Sequence, residues 1–412
     1  MADPGNALFH LTDPRGASDK SGRTFNNPYQ YFFEQMHMDD AIYADESIYE
    51  YPMQQGGGND GRPYSFGRPS SGGSKAAYPC KSYGQGRINP AYFYGVFDPN
   101  DMRRDVSITM TGSNGKGVEK LIPFVPNSKA EGGGLTLNKW DENRQANPWV
   151  AAQRKSGING PYMRMSEVYL GYAEVCAALG DVVTGKQYLK TVRERSFPQG
   201  LANTDAFIAS FGNDLVRAII EERGFEYAGE GDRRWTLIRS GYLPEDIKRI
   251  KDMTKAMMDG LATKGYYEFE NGNIISAYIW TKLVDAKTIY GHRLTAQCPT
   301  DKVNDPVLYP GWRGQKDNWE EMGLNYGSST PATNLAIKGL FEIVSEEEAA
   351  SLESQGYTKV NWGIDLVDNR DEYDKYLFWD YDYVSAPIYL WPFTPNVMAA
   401  GGFTNGYGFK QE

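Results

Sequence analysis

Residues 160–195 constrain this chain most. In RMSEVYLGYAEVCAALGD, Met165, Val168, Tyr169, Tyr172, Cys176 and Leu179 recur at helical spacing. Pro161 suits a first helical turn and Gly180 a left-handed cap, so the spacing predicts an amphipathic helix of about five turns. After a break at Asp181 to Val183, Lys186 to Arg195 repeats the pattern with Tyr188, Leu189 and Val192 inward. Together they predict an antiparallel helical hairpin, the unit of tetratricopeptide-like arrays. One such pair cannot bury its apolar face alone, so further helices have to pack on it.

A third helix is expected from about Asp205 or Asp214 through IIEERGFEYAGEGDRRWTLIRSG, Ile219 to Gly241. Its charges Glu222, Arg223, Glu226, Glu230, Arg233 and Arg239 sit among Ile219, Phe225, Tyr227 and Trp235. They form either a solvated face or an internal ion-pair network. The interleaved aromatics favour the network, because they imply burial and buried charges have to be paired. A further helix is predicted over Pro244 to Lys264, then a strand-like YYEFENGNIISAYIW. A capping box of Ser345 with Glu348 opens a helix at Glu346 to Gln355. The tail, YDYVSAPIYLWPFTPNVMAAGGFTNGYGF, is punctuated by Pro and Gly and reads as non-helical.

Gly, at 45 of 412 residues, exceeds the roughly 7% of average usage, so loops take much of the chain. Residues 1–90 carry one helix-like piece around Pro28 to Met38 and one strand-like piece, ESIYEYPM, at Glu46 to Met53. The Gly- and Pro-rich segment Gln54 to Gly86 follows. A structureless loop this long is either disordered or functional. Its interleaved Tyr64, Phe66, Tyr78 and Tyr83 favour function, because linkers are poor in aromatic rings. The expected organisation is an irregular segment at 1–90, a helical-repeat core at 91–243 and a loop-rich region at 244–412. The fold class is mainly α, with helical hairpins, long irregular loops and a few short strands.

The net charge of -10 argues against nucleic acid, whose phosphates need clustered Lys and Arg. Cys80, Cys176 and Cys298 are odd in number and far apart, which signals neither a disulfide framework nor a zinc site. No metal or cofactor is expected. No apolar stretch is long enough to cross a membrane. The amino terminus, MADPGNALFHLTDPRGASDKSGR, shows neither a basic n-region nor an apolar h-region, and no lipid-attachment Cys follows it. His10, His37 and His292 stand in unrelated contexts, and GxSxG, P-loop and HExxH motifs are missing. Acidic pairs such as Asp39 with Asp40, or Asp380 with Asp382, offer a glycosidase its two carboxylates. In WDYDYV, however, the alternation reads as a strand with its polar side outward. A non-catalytic role is expected.

Several segments, in order, resemble the SusD/RagB family of outer-membrane nutrient-binding lipoproteins. ESIYEYPM resembles its Glu-x-Ile-Phe-Glu strand, FDPNDMRRDVSITM its Asp-x-Arg-Arg segment and LTLNKWDE the lysine segment that follows. RMSEVYLGYAEVCAALGD and VRERSF resemble its Arg-Leu-Ala-Glu-Val-Tyr-Leu helix and Val-Arg-x-Arg partner. IIEERGFEYAGEGDRRWTLIRSG resembles the Glu-Arg…Glu-Gly-x-Arg…Leu-x-Arg block, and YLWPFTPNVMAAGG the Pro-x-Pro close. Gly224 departs from the family pattern, where a larger or basic residue is usual, and Gly171 sits mid-helix. Family members begin with a lipoprotein signal and several repeat pairs before the Glu-x-Ile-Phe-Glu strand. Here that strand starts at Glu46, so the resemblance implies the carboxy-terminal two thirds of such a protein, without its lipid anchor.

The resemblance further implies a surface-exposed outer-membrane protein that binds oligosaccharide and caps a SusC-like TonB-dependent transporter. A peptide-binding protein, or a protein-binding helical scaffold of the same complex, is the alternative. The expected stacking rings are Tyr64, Phe66, Tyr78 and Tyr83, then Trp312 and Trp319, with Asn59, Asp60 and Arg62 as hydrogen-bonding partners. Packing within the loop competes with ligand contact for each ring, and a turn role competes for the polar three.

Overall fold

The computed structural model describes residues 46–53, 66–69, 83–113, 119–124, 134–140, 159–285, 307–308, 333–371 and 394–402. It also describes Leu11, Asp13, Phe33 and Thr404. The fold is mainly helical, with short antiparallel strands between the helices. In chain order the first half holds β1 (Ser47–Tyr51), a π-helical turn at Tyr92–Val96, α1 (Met102–Ser107), β2 (Ile108–Thr109), β3 (Thr111–Ser113), β4 (Glu119–Leu121), β5 (Thr136–Leu137) and β6 (Gly160–Arg164). The helical run follows as α2 (Met165–Ala178), α3 (Val182–Glu194), α4 (Thr204–Ala209), α5 (Leu215–Glu226), α6 (Asp232–Ser240) and α7 (Leu243–Lys264). Next come β7 (Tyr266–Glu268), β8 (Ile274–Ser276), β9 (Tyr278–Asp285), β10 (Val307–Leu308), β11 (Thr333–Lys338), α8 (Glu346–Ser354), β12 (Thr358–Asn361), α9 (Gly363–Asp368) and α10 (Pro395–Gly401).

The predicted hairpin is α2 and α3. Asp181 caps α3 by accepting from the Thr184 amide at 3.1 Å, and Gly180 takes a left-handed φ of 87° between the helices. Asn203 and Asp214 cap α4 and α5 in the same way. Leu170 and Ala173 pack on Leu189 and Val192, and α5 covers both through Leu215, Ala218 and Ile219. Full burial of a leucine side chain contributes about 1.5–3 kcal/mol. Burial against α5 therefore adds to what the pair buries by itself.

Local spacing misplaced several details. Pro161 lies in β6, because pairing with β1 holds 160–164 extended. The helix consequently starts at Met165 and runs for 14 residues, about four turns. Its buried stripe passes through Leu170 and Ala173, while Leu179 is 82% exposed at the hairpin tip. The stretch from 205 to 241 is three helices, α4, α5 and α6: Gly212 and Asn213, each at φ 65°, break it before α5, and Gly229 and Gly231, at 83° and 96°, break it before α6. The tail contains α10, which Thr394 and Pro395 start and Gly402 ends.

A second core joins distant parts of the chain. Phe93, Tyr94 and Phe97 from the π-helical turn meet Phe225 of α5, Met257 and Leu261 of α7, Ile279 of β9, Ile337 of β11 and Trp362. Trp362 Nε1 donates to the Tyr94 hydroxyl at 2.9 Å, so the one polar atom of each buried ring is satisfied. The antiparallel sheet runs β10-β11-β9-β12, with Ile337 opposite Thr281 and Val360 opposite Ile279. Ser345 caps α8, accepting from the Glu348 amide at 3.2 Å as its spacing predicts.

Candidate functional site

β1 and β6 pair into a two-stranded antiparallel ribbon whose register slips twice. Tyr49 faces Met163 and Glu50 faces Pro161, which leaves Tyr162 without a cross-strand partner. Such bulges re-aim side chains. Here Tyr162 turns outward to 74% exposure, and its ring meets that of Tyr49 edge to face at 5.5 Å. Tyr51 is exposed on the same strand. Asn159 fastens the ribbon's far end: its Oδ1 accepts from the Met53 amide at 2.8 Å, and its Nδ2 donates to Glu50 at 2.7 Å. The outcome is a small platform of exposed phenol rings on a ribbon whose end Glu50 and Asn159 tie together.

The near end of the ribbon is anchored in charge. Glu46 is fully buried and accepts from Arg164 Nη1 at 3.0 Å and from both terminal nitrogens of Arg195. Arg164 and Arg195 also bind Glu226 Oε1, at 2.8 and 2.6 Å. Arg103 bridges Asp101, Glu222 and Glu226, and Arg193 holds the other oxygen of Glu222 at 2.9 Å. Lys139 donates to Glu230 at 2.7 Å and to the Glu226 carbonyl at 2.8 Å. The cations Arg103, Lys139, Arg164, Arg193 and Arg195 thus match the anions Glu46, Asp101, Glu222, Glu226 and Glu230 in number. Of the charges expected in a network, Glu222, Glu226 and Glu230 join this one; Arg223 and Arg233 pair instead with Asp232 and with Glu221 and Asp246, and Arg239 meets Glu174 at the surface. Among the described residues the network's charges match, as burial of charge favours.

Burial by itself would raise the Glu226 pKa, but Arg195, Arg164 and Arg103 outweigh it and hold this carboxyl well below the ordinary range. Glu230 is held down in the same way by Arg164 and Lys139. Lys139 goes the other way: burial lowers its pKa despite the Glu230 carboxylate beside it. Carboxylates kept ionised cannot donate a proton to a leaving group. This cluster is structural in its chemistry.

The predicted ligand loop leaves the ribbon at Met53, and its second half has a well-defined neck. Phe66 is 48% exposed and Tyr83 half-buried. Gly84, at φ 58°, lies so close to Pro69 that an added Cβ would stand 2.3 Å from the proline Cγ. A Cβ on Gly86 would stand 2.8 Å from Leu137 Cδ1, and one on Gly112 2.6 Å from the Pro69 carbonyl oxygen. Arg68 completes the closure, its amide donating to the Trp140 carbonyl at 2.8 Å and its Nη2 to the Thr111 hydroxyl at 3.1 Å. Residues 66–69 and 83–86 therefore meet at a pinned base.

Asn59, Asp60, Arg62, Tyr64, Tyr78, Trp312 and Trp319 lie outside the described residues, as do His10, His37, His292, Asp39, Asp40, Asp380 and Asp382. Cys176 is buried in the hairpin core. Among the described residues no helix is long and apolar enough to cross a membrane.

A model of the SusD family matches residues 10–392. The chain belongs to the SusD family. Similar to it is a SusD-like protein of Formosa agariphila, 28% identical over 160 residues, which are 39% of this chain and 26% of that one. Among solved structures, a SusD homolog from Bacteroides thetaiotaomicron aligns with a TM-score of 0.40 at 17% identity, covering 58% of this chain and 48% of that one. Surface glycan-binding protein A of the same organism, in complex with laminarihexaose, aligns at 0.38 and 18% identity, covering 55% and 48%. The SusD-family chain described here spans less than half the length of each of these relatives.

Tyr49, Tyr51 and Tyr162 are not among the stacking rings that the sequence predicts. Alternation in ESIYEYPM does set Tyr49 and Tyr51 apart from Glu50. No local signal brings Tyr162 to Tyr49, because their meeting depends on a strand pairing between remote segments and on a bulge.

Proposed function

We propose that this SusD-family chain captures oligosaccharide at the cell surface and does no chemistry on it. The carrying observation is the Tyr49–Tyr162 pair, two exposed rings held on a ribbon fixed at both ends. Exposed phenols present a flat apolar face and a hydroxyl together. A sugar ring matches both, with C–H groups against the ring face and hydroxyls toward the phenol oxygens. The loop that leaves the ribbon adds Phe66 and Tyr83 at its neck, together with Tyr64 and Tyr78, while Asn59, Asp60 and Arg62 supply hydrogen bonds. Trp312 and Trp319 form a second group of stacking candidates.

Membership of the family supports the wider role: attachment to the outer membrane through a lipid anchor, and delivery of the glycan to a SusC-like TonB-dependent transporter. Surface glycan-binding protein A, in complex with laminarihexaose, illustrates the ligand class.

Calorimetric titration with a glycan panel that includes laminarihexaose tests the proposal. Saturable binding that is lost in Tyr49→Ala/Tyr162→Ala or in Tyr78→Ala/Tyr83→Ala supports capture. Binding that survives both double variants would move the site elsewhere. Release of reducing sugar would overturn the non-catalytic reading.

A further inference from the structure

The angle between the two ribbon rings limits what can lie on both. Tyr49 and Tyr162 meet edge to face, with their planes 84° apart and their centroids at 5.5 Å, and they are 57% and 74% exposed. Aromatic pairs prefer this arrangement, because the positive edge of one ring meets the negative face of the other. The backbone beneath Tyr162 is fixed on both sides. Tyr162 is the extra residue of the bulge, and it follows the buried Pro161, whose ring locks its own φ. Two positions on, Arg164 is 1% exposed and held by Glu46, Glu226 and Glu230. The two phenols therefore form a ready-made corner and not a flat shelf.

A pyranose presents C–H groups from its faces and carries hydroxyls and linkages around its rim. A sugar residue stacked on one phenol thus turns its rim, and not a second face, toward the other. Stacking on both phenols takes two residues whose planes differ by nearly the angle between the rings. A β-1,4-linked glucan chain is a flat ribbon whose neighbouring rings lie nearly parallel. In β-1,3- and α-1,4-linked glucans the chain curls, and each ring is turned against the last. Only chains of the second kind can use both faces at once, and a site preorganised as a corner selects for them.

We propose that the ribbon selects turned glycans over flat ones and that Tyr162 is the residue that determines this specificity. The selectivity rests on the proposed capture function and names its ligand class: chains whose linkage rotates successive rings out of plane.

Calorimetric titration of the full chain with laminarihexaose, maltohexaose and cellohexaose tests it, since these share one sugar and one length and differ in linkage. At least one of the turned hexaoses is expected to bind about fivefold or more tightly than cellohexaose. Tyr162→Ala, at an exposed position, is expected to remove that preference by weakening the turned chain, with unchanged thermal unfolding. Tyr162→Phe, which keeps the ring face, is expected to retain it. Cellohexaose binding as tightly as both turned chains, with all three lost in Tyr49→Ala/Tyr162→Ala, would overturn the selectivity and leave capture on the ribbon standing. A preference that persists in Tyr162→Ala would overturn the role of this residue. Failure of all three hexaoses to bind would overturn the selectivity, and failure of the wider glycan panel would overturn capture with it.

Discussion

Arg195, just past the end of α3, grips the Glu46 carboxylate with Nη1 at 2.5 Å and Nη2 at 3.0 Å, joining residues 149 positions apart. Through this contact the helical hairpin holds the strand that carries the tyrosine platform. Packing and candidate function thus meet in one ion pair.

Because Glu46 is fully buried with its guanidinium partners, removing it leaves charge uncompensated. Glu46→Ala is expected to cost about 3–5 kcal/mol, read from the midpoint of urea unfolding. A loss below about 1 kcal/mol, the worth of an exposed pair, would show that the network contributes little.

The ribbon rings face solvent, so their removal should separate binding from stability. Tyr49→Ala and Tyr162→Ala are each expected to weaken glycan binding by about 1 kcal/mol, roughly fivefold. Thermal unfolding should hardly move. Unchanged affinity in both variants would exclude the platform.

At the loop neck Gly84 combines a left-handed φ with close approach to Pro69. Gly84→Ala is expected to destabilise by about 1–3 kcal/mol and to weaken glycan binding by loosening the loop base. Calorimetry and thermal melts on the same sample check both. A stabilised variant would show that the neck tolerates a side chain.

Acid should unfold the protein through its network. Glu226 and Glu230 have folded pKa values below the ordinary glutamate value of 4.5, because Arg195, Arg164, Arg103 and Lys139 outweigh burial. A carboxyl depressed in the folded state contributes stability above its unfolded pKa, and that contribution is lost as pH falls through the folded one. The melting temperature is therefore expected to hold from neutrality to near 4.5 and to drop below it. A melting temperature that rises on acidification below that value would contradict the assignment.

In the second core, Tyr94→Phe removes the acceptor for the buried Trp362 indole N–H. An unsatisfied buried donor costs about 1–3 kcal/mol, measurable by chemical unfolding. Tryptophan emission should shift with it. A neutral substitution would imply that another acceptor replaces the phenol.

The sequence by itself determined the local elements. The helices α2, α3, α7 and α8, the strand at Ser47–Tyr51 and the caps at Gly180 and Ser345 follow from spacing and capping chemistry, which act over a few residues. Aromatics interleaved with charges also favoured a buried ion network over a solvated face. Only the tertiary structure decided its partners, because Glu46, Arg103, Lys139, Arg164 and Arg195 come from segments with no local relation. It also overrode helix signals at Pro161, where strand pairing gains more than a helical turn, and selected Leu170 over Leu179 as the buried leucine. The platform belongs to this second class. A bulge in a long-range strand pair brings Tyr162 to Tyr49, and no periodicity in either segment encodes that meeting.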